Sequence, residues 1–395
     1  MTQRRADYVL LGTVAVLVMV GLQALYSASF AMAMAEYNDP AYFIVRQLIF
    51  AVPGALLMLA CWRIPFPVWR RLAFPLALLG GGAVLMVLIP GVGVNVYGAQ
   101  RWIQVGPLPA LQPSEFVKLA LIIYLAAWLA DRPDQIRSVS KGFVPFGIIV
   151  VVMVVPILLQ PDLGTTTVIA VTAIVLFYLA GAPSTFMMAI FGGIAALTPL
   201  LLAASYRRSR LEAFLDPWKD PLGNGFHIIQ SLIAIGSGGL TGLGFGSSRQ
   251  KFFYVFGSHS DAIFAIIAEE LGFVGTIVVI SLFVLLGVRG FRTAARCPDR
   301  FGALLAAGIT TWLCLQAFIN IGGITRTIPF TGIPLPFISY GGSALMATFC
   351  AVGILLNISR TASAPEPEAS TEGDLSGEPP ARRVAGRPRH RPVET

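Results

Sequence analysis

Ionisable side chains are scarce in this chain. The densest polar stretch runs Ser247-Ser248-Arg249-Gln250-Lys251-Phe252-Phe253-Tyr254-Val255-Phe256-Gly257-Ser258-His259-Ser260-Asp261-Ala262-Ile263-Phe264. It ends where a long apolar run begins. Asp261 sits at that junction, at or just before the first turn of a helix. A helix N-terminus favours an ionised carboxylate. Such a group suits a divalent metal, and it suits general-base work if partial burial restores its basicity. It can equally cap the helix, with Ser258 and Ser260 as alternative caps. Glu269 and Glu270 follow in the same run. At 1.5 Å per residue Glu269 lies about 12 Å from Asp261, too far for a close carboxylate dyad.

Other candidates are spread along the chain. Gln112-Pro113-Ser114-Glu115-Phe116-Val117-Lys118 reads as a helix start with proline in its first turn. Glu115 and Lys118 share a helix face there, either as a structural ion pair or as part of a substrate cavity. Asp162, in Gln160-Pro161-Asp162-Leu163-Gly164-Thr165, either caps a helix or faces a substrate. Arg101 offers a planar fork of donors suited to phosphate, or it is a surface arginine. The glycine-rich segment 235–246 resembles a phosphate loop, but it lacks the Gly-Lys-Ser/Thr ending and the strand–helix context. It reads better as an irregular or re-entrant segment shaping a cavity. Pro334-Leu335-Pro336-Phe337 is irregular backbone at a membrane edge, which is tolerated where it lines a wet cavity or is buried in protein.

The elements that hold these residues are membrane helices. Of 395 residues, 56% are hydrophobic and 12% charged, against about 25% charged in soluble domains. Apolar runs long enough to span a bilayer lie at roughly 8–29, 43–62, 72–90, 114–130, 143–160, 164–181, 184–204, 263–288, 301–321 and 339–358. The expected fold is an all-α integral membrane protein of about ten transmembrane helices. A polytopic domain covers 1–361, and a large extracytoplasmic loop at about 205–262 separates helices seven and eight. Unbroken apolar runs exclude a β-barrel. The first run is too long for a signal-peptide core, so it is a retained span.

Arg4, Arg5, Arg63, Arg70, Arg71, Arg132, Arg137, Lys141, Arg289, Arg292, Arg296, Arg300 and Arg360 fall on one side of a ten-span topology. That side is the cytoplasm, with both termini on it. The long outer loop nevertheless carries Arg207, Arg208, Arg210, Lys219, Arg249 and Lys251, which suits an anionic ligand. Residues 362–395 have the composition of a disordered tail, which the topology places in the cytoplasm, and their basic end can touch anionic lipid. The positive charges form no single patch, so no nucleic-acid partner is expected. The four cysteines are scattered and read as free thiols.

Taken together, the motifs resemble the SEDS family, the FtsW/RodA group of bacterial cell-wall polymerases. The resemblance spans about 8–358. It rests on Gly-Ala-x-Arg-Trp-Ile at 98–103, Gln-Pro-Ser-Glu-x-x-Lys at 112–118, Gln-Pro-Asp-Leu-Gly-Thr at 160–165 and Gln250-Lys251. It rests also on Ser258-His259-Ser260-Asp261 through Glu269-Glu270-Leu271-Gly272, and on Pro334-Leu335-Pro336-Phe337-Ile338-Ser339-Tyr340-Gly341-Gly342-Ser343. Phe256-Gly257 departs from the family's Pro-Glu, Ser260 from its Thr and Ala262 from its Phe.

The resemblance implies a multi-pass glycosyltransferase of the bacterial cytoplasmic membrane. It would polymerise lipid II into glycan strands at the outer face, with the division branch preferred over the elongation branch. Asp261 would be the catalytic base, or the ligand of a divalent cation (Mg²⁺ or Mn²⁺); no organic cofactor is implied. Arg101, Glu115, Lys118, Asp162, Arg249, Lys251 and His259 are the candidate substrate-binding residues. Implied partners are lipid II, the nascent glycan strand, membrane lipid and a class B penicillin-binding protein transpeptidase. A lipid II flippase and a non-catalytic scaffold of the division or elongation machinery are the competing readings.

Overall fold

The structure, a computed structural model, describes residues 6–96, 99–104, 110–202 and 205–362. Arg4, Arg5, Gly98 and the tail from residue 363 lie outside the described residues. The helices are α1 (Tyr8–Tyr37), α2 (Tyr42–Arg63), α3 (Pro67–Val87), α4 (Pro113–Ala130), α5 (Val144–Leu158), α6 (Leu163–Leu179) and α7 (Ser184–Leu202). They continue with α8 (Ser205–Leu215), α9 (Phe226–Ser237), α10 (Ile263–Arg296), α11 (Arg300–Ile324) and α12 (Gly342–Ala362). A hairpin of β1 (Gly93–Val96) and β2 (Ala99–Ile103) joins α3 to α4. Neither the hairpin nor the helical content of 205–262 follows from the apolar runs.

Among the described residues, eight helical segments are long and apolar enough to cross a membrane. They are α1 to α4, α5 with the π-helical turn before it, and α10 to α12. α6 has 17 residues, or roughly 26 Å of helix against a hydrocarbon core of about 30 Å. α7 runs over 19 residues, Ser184–Leu202. α4, α11 and α12 form the buried centre, whereas α2, α3 and α5 leave most of their residues unburied. That is the pattern of a bundle whose outer helices face lipid rather than water.

Hydrogen bonds sort the connections into two ends. At one end Asp7 caps α1 through Val9 N (3.1 Å) and Leu10 N (3.0 Å), and its other carboxylate oxygen accepts from Arg289 Nε at 2.7 Å. Asp7 N donates to Ser359 Oγ at 3.0 Å, which brings the starts and ends of the described chain together. Phe66 N donates to Asn357 Oδ1 at 2.9 Å, Arg300 Nη2 to Ala180 O at 2.8 Å, and Arg70 pairs with Asp131 at the same end.

At the opposite end the long connections interlock. Gln112 N donates to Ser343 Oγ (2.9 Å), Gln47 Nε2 to Ser339 O (3.2 Å), and Tyr340 N to His259 O (2.9 Å). Arg326 donates to Phe214 O (2.9 Å) and Leu215 O (2.8 Å), the last carbonyls of α8. A cation there satisfies groups the helix leaves open and complements its dipole.

α10 is broken at Gly272, whose φ of 67° and ψ of −164° are not helical. In an unbroken helix the N–H groups of Phe273 and Val274 would bond to the carbonyls of Glu269 and Glu270. Here those carbonyls accept from Leu243 N and Gly244 N, both at 3.0 Å, while Phe273 N and Val274 N donate to Gly239 O (2.9 Å) and Leu240 O (3.1 Å). The glycine-rich segment is thus threaded into the helix and satisfies these four groups that the break frees. A Cβ at Gly238 would strike Ala268 O, and one at Gly242 would strike Glu270 O. The glycines serve this backbone contact rather than a phosphate.

Candidate active site

Asp261 follows a left-handed Gly257 (φ 68°) and faces a left-handed Gly332 (φ 72°). Only glycine adopts both conformations without strain. A Cβ at Gly257 would collide with Asp261 Oδ1, and one at Gly332 would stand 3.3 Å from Oδ2. Gly257 is one of the residues that departs from the family pattern, and here it makes room for the carboxylate. Ser260 Oγ donates to Asp261 Oδ1 at 2.9 Å, while Oδ2 accepts no hydrogen bond from the described residues. The backbone behind it is fixed by Asn320, whose Nδ2 donates to Asp261 O (2.7 Å) and Ile333 O (2.8 Å). Asp261 does not cap α10; Ala262 stands at that position with no side-chain cap bond.

The Asp261 carboxylate lines a cavity of ≈ 280 Å³ together with Arg210, Asn224, His227, Phe256 and Phe330. Burial pushes its pKa up, while His227, Ser260 and Arg210 pull it partly back. A carboxylate raised in this way is a stronger base than a solvated one. Arg210 comes from α8, where its Nη1 donates to Phe330 O at 3.3 Å and its guanidinium lies 5.8 Å from the Phe330 ring centre. His227 lies on α9 with its ring 4.5 Å from that of Phe330. The cavity therefore holds an acid–base group, a cation and a histidine beneath an aromatic wall, at the end of the bundle opposite Asp7 and Ser359.

The other sequence candidates lie outside this cavity lining. Lys251 Nζ bonds Glu270 Oε1 (3.2 Å), Gly246 O (2.6 Å) and Ser27 Oγ (3.1 Å) in a buried cluster. Glu269 accepts from Arg249 N at 2.9 Å and from Ser248 Oγ, so both glutamates fasten the 246–251 segment to α10. The Arg249 side chain is exposed. The His259 ring packs against Phe43 (4.7 Å) and Tyr340 (5.7 Å), and burial pushes its pKa down to about 4. Arg101 donates to Gln160 O (3.0 Å) and Pro161 O (2.5 Å), with Asp162 at 4.0 Å. Asp162 caps α6 through Thr165 N at 3.0 Å. Glu115 and Lys118 pair at 2.8 Å while buried, and Lys118 also donates to Gln316 Oε1 at 2.8 Å.

Asn224, His227 and Phe330 escaped the sequence reading. Arg210 entered it only as part of the outer loop's positive charge. No spacing links these residues to Asp261; the fold alone assembles them.

A multi-pass helical bundle with a carboxylate cavity at one end defines a class of membrane protein that comparison narrows. The FtsW/RodA/SpoVE family, described as "Cell cycle protein", matches residues 8–364, and the chain belongs to it. Stage V sporulation protein E of Bacillus subtilis is 44% identical over 90% of this chain and 97% of its own length. A protein of Trichlorobacter lovleyi named "Probable peptidoglycan glycosyltransferase FtsW" is 43% identical over 89% of this chain and 93% of its own. Among solved structures, a chain from a peptidoglycan synthase complex that coordinates polymerization and crosslinking is 31% identical. It covers 90% of this chain and 98% of its own, with a TM-score of 0.76. The rod shape determining protein RodA of Thermus thermophilus, solved also as an aspartate-to-alanine mutant, is 30% identical. It covers 90% of this chain and 97% of its own, with a TM-score of 0.67.

Proposed function

We propose that this protein is a peptidoglycan glycosyltransferase that polymerises lipid II at the outer face of the bacterial cytoplasmic membrane. Both chain termini are cytoplasmic in this reading. The observation that carries it is the Asp261 carboxylate, raised in basicity by burial and set in a cavity with Arg210. The activity named for relatives that match nearly the whole chain supports the same reading.

In the proposed step the hydroxyl of an acceptor lipid II loses its proton to Asp261 Oδ2. Its oxygen bonds the anomeric carbon of the donor strand. The bond from that carbon to pyrophosphate breaks, and undecaprenyl pyrophosphate leaves with the electron pair. Arg210 stands where positive charge can meet the leaving group. Lys251 and Lys118 are each paired with a buried glutamate, so neither is assigned to the pyrophosphate.

Among the described residues no group of three or more His, Cys, Asp or Glu could hold a metal ion. Mg²⁺ commonly takes one or two carboxylates and completes its shell with substrate phosphates and water. That mode fits Asp261 as a single protein carboxylate. A divalent cation bound so would add positive charge at the pyrophosphate. The proposed partner is a class B penicillin-binding protein transpeptidase, in line with the complex that the neighbouring structure comes from.

The test is polymerisation of lipid II by the purified protein with its transpeptidase partner. Asp261→Asn should lower the rate by at least about 100-fold, the lower range for general-base loss, with unchanged thermal unfolding. Undiminished glycan synthesis by the folded variant removes Asp261 from the reaction. Lipid II crossing sealed vesicles without polymer would favour the flippase reading instead.

A further inference from the structure

Besides Asp261, one group in the cavity has a chemistry that its own surroundings do not use. Both ring nitrogens of His227 are buried, and neither finds a hydrogen-bond partner among the described residues. Buried polar atoms are nearly always paired, and an unpaired one is costly until a ligand supplies the bond. A neutral imidazole brings one donor and one acceptor, which matches a sugar hydroxyl on either count. The ring does not bond Asp261 directly, yet it lines the same cavity, and its charge acts on the Asp261 carboxylate. His227 is held from behind by α9, whose Ile228 and Ile229 are buried, and from the side by the Phe330 ring.

Resting on the glycosyltransferase reading, we propose that His227 is the second group of this site to touch the reacting sugar. It hydrogen-bonds the acceptor hydroxyl from the side away from Asp261, and it does so as the neutral imidazole.

The charges around His227 explain why the neutral form is required. Arg210 of α8 and Asp261 ahead of α10 act on the ring directly. The short turn Pro217–Lys219, packed on α9, carries Lys219 and is flanked by Asp216 and Asp220. Those two carboxylates accept from the backbone of Trp218, Gly223 and Asn224. On the α10 side Glu269 and Glu270 are engaged by Ser248, Arg249 and Lys251. Arg326, beyond α11, is bound to carbonyls of α8. An imidazolium at 227 would therefore stand beside Arg210 and draw the Asp261 carboxylate into an ion pair. The base would lose its freedom to accept the hydroxyl proton. Burial pushes the His227 pKa down from its ordinary value, which keeps the ring neutral at pH 7.

The consequence is an acid limb to which His227 contributes. As pH falls His227 takes up a proton, which ties up the base and slows turnover. The experiment is the pH profile of kcat/KM for lipid II polymerisation, from pH 4.5 to 8, for the full chain with its transpeptidase partner. Wild type should lose activity with falling pH more steeply than a variant that cannot titrate at 227. His227→Gln keeps an amide donor and acceptor but cannot titrate. It should fall about tenfold at pH 8 and show a shallower acid limb than wild type, and His227→Ala should fall further. A purely structural role for His227 would lower the whole profile without changing its slope. A Gln variant that keeps the wild-type slope overturns the proposal and leaves the glycosyltransferase reading standing. A wild type that makes no polymer at any pH overturns both. If His227→Gln fails a thermal-unfolding control, His227→Asn gives the same reading of the slope.

Discussion

At the residue scale, two histidines a short distance apart in sequence meet opposite fates. His227 keeps its nitrogens unpaired at a cavity, whereas His259 is enclosed by Phe43 and Tyr340. The pKa of His259 falls from 6.5 to about 4 through burial alone. Its unfolded-state pKa is therefore the higher one. Above about pH 6.5 both states are neutral, and the fold keeps its full stability. Between pH 6.5 and 4 the unfolded chain gains a proton that the folded ring refuses, and stability falls by about 3 kcal/mol. Thermal unfolding in detergent at pH 7.5 and 4.5 measures this. His259→Phe suits the aromatic site, removes the titration and should flatten the difference between the two pH values. An unchanged pH dependence in that variant would show that other groups dominate acid unfolding.

At the element scale, α10 and the segment 238–251 behave as one unit. The four exchanged backbone bonds at Gly272 require a conformation open only to glycine. Gly272→Ala adds strain of about 1–3 kcal/mol and drives a Cβ into the backbone of Gly242 and Leu240. Its thermal midpoint should drop sharply. Gly12→Ala on α1 is the control, since a Cβ there meets nothing within 4 Å; it should gain about 1 kcal/mol from helix propensity. The Lys251–Glu270 pair pins the same unit to Ser27 of α1. Lys251→Met leaves a buried carboxylate unpaired and should cost about 3–5 kcal/mol, whereas adding Glu270→Leu should recover much of the loss. If the double variant is no more stable than Lys251→Met alone, the cluster has a role beyond mutual neutralisation.

At the scale of the whole molecule, the helical bundle was legible because apolar runs of bilayer length leave little choice of secondary structure. The motifs were legible as a family resemblance. The tertiary fate of the cations was not. Arg101 and Lys251 look like phosphate ligands in sequence, yet their acceptors lie at Gln160 and Glu270, without a distinctive spacing, whereas the Glu115–Lys118 pair was visible in its three-residue spacing. The cavity draws Arg210, His227, Asp261 and Phe330 from four separate stretches, which no periodicity connects. α11 is what relates these clusters. Gln316 accepts from Lys118 and Trp312 and donates to Pro334 O at 2.9 Å, and one turn on Asn320 holds Asp261 and Ile333. Asn320 is thus a positioning residue for the carboxylate, acting through its backbone. Asn320→Leu, of similar size, removes both bonds and frees the Asp261 carbonyl inside the protein. Loss of two buried bonds should lower stability by about 1–3 kcal/mol. Polymerisation should fall by about 100-fold, the cost of displacing a reacting group by about 1 Å. The discriminating measurement is kcat against KM: misplacement of Asp261 lowers kcat with little change in KM. If KM rises while kcat holds, Asn320 shapes the substrate site, and the link from α11 to Asp261 is not what sets the rate.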